Sequence, residues 1–236
     1  MSTSSNGLID LGNVAIEDLA ATNGEIAVGK LADLAGVTTD TLKSSRITEI
    51  VDDITSSASY GAVELKNKAE NKGVLGIGTS SAGATLTLNG LGDTSVNLVQ
   101  YSDDKVAGVE MKHQMSKLVT KGNGVVGAVT GATGILNVAD KTLTVQGNVD
   151  VASVEIDKTA TLVLGESEDA SKPYTVDAKY LTVDGTFDAS ANTVTVTERF
   201  EVSGVADIKE LALSAQGDVT GSVTVGKLTV QGADAR

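Results

Sequence analysis

The chain has no cysteine and no tryptophan, one proline, one histidine and only two phenylalanines among its 236 residues. Without cysteine there are no disulfides, no thiolate zinc sites and no thiol nucleophile. With a single histidine as well, a histidine-built zinc site is excluded. Aromatic residues make up 3% of the chain. Large flat side chains normally dominate cores and stacking platforms, so neither nucleobases nor sugars have much to stack on. No run approaches the roughly 18 apolar residues of a membrane-crossing helix. The opening Met1-Ser2-Thr3-Ser4-Ser5-Asn6-Gly7 lacks the basic and apolar regions of a secretory signal.

The charge is also one-sided. The formal net charge is −13, from 31 acidic and 18 basic residues spread along the chain. Such a surface repels nucleic acid and anionic membrane, so neither is an expected partner, and membrane insertion is not expected. It attracts divalent cations.

What remains is Val, Ile, Leu, Ala, Thr, Ser and 26 Gly. A core of small aliphatics suits thin repeating layers better than one bulky centre. From 141 onward the chain alternates in brief runs: Thr142–Gln146, Ser153–Ile156, Thr161–Leu164, Leu181–Asp184, Thr193–Thr197, Phe200–Ser203, Leu211–Ser214 and Val223–Gln231. Alternation sends one set of side chains inward and the Thr, Ser and Gln set outward. Closely spaced short strands predict a sandwich, a barrel or a solenoid. The expected fold class is therefore mainly β, as a stack of short strands. A β-solenoid is preferred and a Greek-key sandwich stays open.

The unit Leu-Thr-(Val/Leu)-x-Gly bears on that choice. It begins at Leu86, Leu143, Leu181 and Leu228, with spacings of 57, 38 and 47. The first two are multiples of 19, close to one solenoid coil; the third is not. Repeats of this kind mark units that bury their faces on one another. The stretches LTVQGNVDVASVEI, LTVDGTFDASANTVTV and GDVTGSVTVGKLTVQG resemble β-helical surface proteins of the filamentous-haemagglutinin type and, more loosely, bactofilins. Ser59–Leu65 with Lys68-Ala69-Glu70 is similar to the short linker units of phage tail fibres.

Three regions are expected: an extended arm over 1–40, a mixed helix and Gly-rich β region over 41–140, and the repetitive stack over 141–236. Ile47, Ile50, Val51 and Ile54 line one face of a helix expected over 41–57. Val106, Val109, Met115, Leu118 and Val119 give a looser stripe over 104–119. Pro173, within a polar stretch, marks an inserted loop.

The chemistry expected is sparse. His113 lies between Lys112 and Gln114 with no nucleophile motif nearby, and reads as a solvated surface group. Gly122-Asn-Gly124-Val-Val-Gly127 imitates a phosphate-binding loop, but no helix signal follows, so tight turns explain it. Glu166, Glu168 and Asp169 cluster beside Pro173 and are candidate calcium ligands, since calcium takes oxygens from alternating carboxylates in loops. No catalytic residue and no cofactor other than calcium is expected.

The composition avoids costly residues, as suits a protein made in bulk. The expected role is a non-catalytic, self-assembling structural subunit of an extracellular filament, surface layer or virion appendage. Its partner is then another copy of itself. An adhesin or receptor-binding fibre, with surface glycans as ligands, and a cytosolic bactofilin-like scaffold are the alternatives.

Overall fold

In a computed structural model the described residues are 38–44, 49–50, 57–65, 74–78, 81–90, 94–101, 105–214 and 216–231. They form short β-strands joined by turns. In chain order the first are β1 (Thr38–Ser44), β2 (Glu49–Ile50), β3 (Ser57–Leu65), β4 (Val74–Ile77), β5 (Thr85–Leu88), β6 (Val96–Asn97) and β7 (Val99–Tyr101). Next come β8 (Lys105–Val106), β9 (Gly108–Met111), β10 (Lys117–Thr120), β11 (Gly124–Val126), β12 (Val129–Val138), β13 (Lys141–Val145) and β14 (Val149–Ile156). The last are β15 (Ala160–Leu164), β16 (Thr175–Val183), β17 (Thr186–Val202), β18 (Val205–Leu213), β19 (Gln216–Val219) and β20 (Ser222–Val230).

Their pairings are parallel, except for an antiparallel contact between β7 and β8. They sort into three columns. The first runs from β3 through β5, β10 and the C-terminal ends of β12, β14, β16 and β17 to β19. The second runs from β6 through β11, β13, β15 and the start of β17 to the first halves of β18 and β20. The third links β2, β4, β9 and the first halves of β12, β14 and β16 to the middle of β17 and the second halves of β18 and β20. The chain visits the columns in turn and stacks each coil on the one before. This is a β-solenoid.

Coil length follows from the register. Gly124 pairs with Leu143 and Leu143 with Leu162, a step of 19. Val205 pairs with Ser222, a step of 17. Val154 pairs with Leu181; that longer coil carries the loop 165–174, which includes Pro173.

The interior is aliphatic because each strand alternates. Leu86, Leu118, Leu136, Val154, Leu181 and Phe200 fall on one another in the first column and are buried. Phe187 and Phe200 are the bulkiest fully buried side chains. One corner is crowded. A Cβ on Gly204 would lie 2.0 Å from the Gly185 carbonyl oxygen, and one on Gly221 would lie 2.1 Å from that of Gly204. Glycine recurs there because successive coils cross with no room for a side chain.

The helices are corrected. The segment 104–119 holds β8, β9 and β10 with a turn at 113–115. Ala107, Val109 and Met111 are buried on alternate positions while Glu110 is exposed. That period of two is easily missed because alanine is a weak apolar marker. In 41–57, the described parts belong to β1, β2 and β3, and the rest lies outside the described residues. The expected arm over 1–40 also lies outside them, apart from its last three residues in β1. No helix occurs among the described residues.

The recurring Leu-Thr unit is explained differently from its spacing. Leu86 and Leu181 sit in the first column, Leu143 in the second and Leu228 in the third. The motif marks a strand end before a corner on whichever face it falls. The compact coils are 17 to 19 residues long, while Leu86 pairs with Leu118, 32 residues on, and the motif does not return to one column each time.

Candidate functional site

The outer faces carry the polar chemistry. On the first column Lys117 reaches across a rung to Glu155 at 3.1 Å, and Asn137 donates from Nδ2 to Asp157 Oδ1 at 3.1 Å. Lower on the same side the Tyr180 hydroxyl donates to Glu198, and Arg199 pairs with Glu201. The neighbouring Glu198 carboxylate raises the Tyr180 hydroxyl above its ordinary pKa, by accepting its hydrogen bond first and by its charge second. Asn137 is buried; the other three pairs are exposed or half-exposed, Arg199 and Glu201 within one strand and the other two between coils. Such pairs add little individually.

His113 is half-buried at the turn between β9 and β10. Its Nδ1 accepts the Met115 backbone N–H at 3.1 Å. That contact shapes a turn.

Glu166, Glu168 and Asp169 lie exposed in the loop 165–174. Asp169 accepts hydrogen bonds from the Ser171 hydroxyl at 2.6 Å and the Ser171 N–H at 3.0 Å. These bonds hold its carboxyl below the usual range, the side-chain bond contributing most. Lys172 lies 3.9 Å away. Among the described residues no three acidic or histidine groups gather closely enough to hold a metal ion. The loop is tied down at its base by Asn192, whose Nδ2 donates to the Gly165 carbonyl at 2.9 Å.

The feature that sequence reading had not singled out is the last rung. Among the described residues β19 pairs only with β17, and β20 only with β18. No described strand covers their far edges. Side chains at the inward positions of this rung are apolar but unburied: Val219 is 49% exposed, Leu228 56% and Val230 54%. One coil earlier the equivalent Val202 and Leu211 are buried. Gly217 replaces the apolar side chain of its column, and a Cβ there would meet nothing nearer than the Phe200 carbonyl at 4.0 Å. A shallow open pocket lined by Arg199, Gln216, Gly217 and Asp218 flanks this edge. The rung thus combines unpaired backbone groups with an exposed apolar face, the two properties that recruit another strand.

No family model, curated protein or solved structure matches the chain. The fold itself defines it as a β-solenoid protein. No helix among the described residues is long and apolar enough to cross a membrane.

Proposed function

We propose that the protein is a non-catalytic structural subunit that self-assembles through the end of its solenoid, in an extracellular filament, surface layer or virion appendage. The observation that carries this reading is the last rung. Its inward positions continue the apolar pattern of the buried coils, and Val219, Leu228 and Val230 are left half-exposed. A terminal coil in contact with water is expected to be polar on its outer face. This one is built like an interior coil.

The rest of the surface agrees with that role. Lys117 with Glu155 and Asn137 with Asp157 tie coil to coil, and His113 and Asp169 shape turns. Light scattering of the full chain over a concentration series tests the reading, with negative-stain microscopy of the same samples. Concentration-dependent growth into linear particles is expected. A protein that stays monomeric at high concentration, with and without added calcium, overturns it.

A further inference from the structure

We infer that the open rung is completed by residues 24–31 of a second copy of the chain, laid parallel and in register on 221–228; the inference rests on the assembly reading above. β20 turns one corner at Gly226, where an added Cβ would lie 2.7 Å from the Lys209 carbonyl oxygen of the coil below. Its inward residues Val223, Val225 and Leu228 sit over Ala206, Ile208 and Leu211. A segment continuing this stack needs apolar residues at the same three places, and a glycine at the corner repeats Gly226, where the coil below carries Lys209.

Residues 24–31 meet that requirement. They read Gly-Glu-Ile-Ala-Val-Gly-Lys-Leu, against Gly-Ser-Val-Thr-Val-Gly-Lys-Leu at 221–228. Five of the eight positions are identical, and Ile26 stands for Val223. The coil that 221–228 rests on, Gly204–Leu211, shares only two of eight. The N-terminal segment therefore repeats the terminal rung more closely than that rung repeats its own neighbour. Stacking like on like, in parallel register, is how solenoid coils bury their faces.

Reach decides whose segment it is. A continuous ladder of Cα partners runs Thr38, Ser59, Thr87, Val119, Asn137, Glu155, Thr182, Glu201, Asp218. Those eight steps at about 4.8 Å each separate β1 from the last rung by about 38 Å. Leu31 lies seven residues before Thr38, and seven residues span at most about 25 Å. The segment cannot reach its own chain's open rung, so the occupant is a second copy. The contact joins two different surfaces, so each copy in it still offers its own open rung or its own segment 24–31 to a further copy.

The test uses full-length single-cysteine variants, since the chain has no other thiol. Ala27 and Thr224 fall on one another in this register, at outward positions. Neighbouring strands lie about 4.8 Å apart, within the Cα range of a disulfide. Ala27→Cys mixed with Thr224→Cys under mild oxidation should give a covalent species of twice the chain mass, which neither variant gives alone. Val28→Lys in the full chain should abolish concentration-dependent growth while leaving the melting curve unchanged. Self-linking of Thr224→Cys alone, or association of the natural chain without any mixed cross-link, overturns the inference and leaves assembly standing. Absence of any association by light scattering removes both.

Discussion

Thr120 stands at an inward position of the first column, between Leu88 and Val138. Its Oγ1 is buried without a hydrogen-bond partner. Desolvating a hydroxyl without compensation costs about 1–3 kcal/mol. Thr120→Val keeps the shape and removes that cost, so chemical denaturation should show a gain of about 1 kcal/mol. Tyr180 offers a test by titration. Its neutral form is favoured by Glu198, so the pair's contribution is present below the ordinary tyrosine pKa and is lost as pH rises through the raised one. Glu198→Gln should bring the phenol's titration, followed by ultraviolet absorbance, back down. Alternation made the inward set at Leu181, Val183, Val194 and Val196 legible in the sequence, because each is flanked by a polar residue or threonine. Thr120 escaped, since threonine serves both faces of a strand.

Single elements show where pattern reading fails. The apolar spacing over 104–119 fits a helix, but isolated helices of that length are marginal without packing. Here each short strand instead finds a ready-made backbone partner on the coil below. The inserted loop was readable because Pro173 cannot donate to a ladder. Corner glycines such as Gly204 were visible as turn residues, yet their stacking against Gly185 needed the register. Gly204→Ala forces a Cβ into the Gly185 carbonyl, and overpacking of this sort costs about 1–3 kcal/mol. Thermal melting should detect that loss, whereas Gly217→Ala, facing open space, should melt as the natural chain does.

For the whole molecule, the legible part was the solenoid and the hidden part was its end. Nothing in the strand from Ser222 to Val230 sets it apart as the last described rung: its apolar residues alternate like those of buried coils. Only three-dimensional stacking shows that nothing described lies beyond it. Leu228→Lys with Val230→Lys should lower self-association sharply in sedimentation velocity, because a buried joint would then have to desolvate two ammonium groups. Folding should survive, since both side chains already contact water. A chain of net charge −13 also repels its copies, so added salt should favour association of the natural protein.

The ladder from Thr38 to Asp218 has a mechanical consequence. Its hydrogen bonds run along the axis, so a force drawing the two ends apart loads them one rung at a time, as in unzipping. A coil of 17 to 19 residues released in this way lengthens the chain by about 60 Å. Tension would therefore be relieved in discrete extensions, shorter for the compact coils and longer for those that carry loops, such as the coil between Val154 and Leu181, each leaving the remaining coils intact.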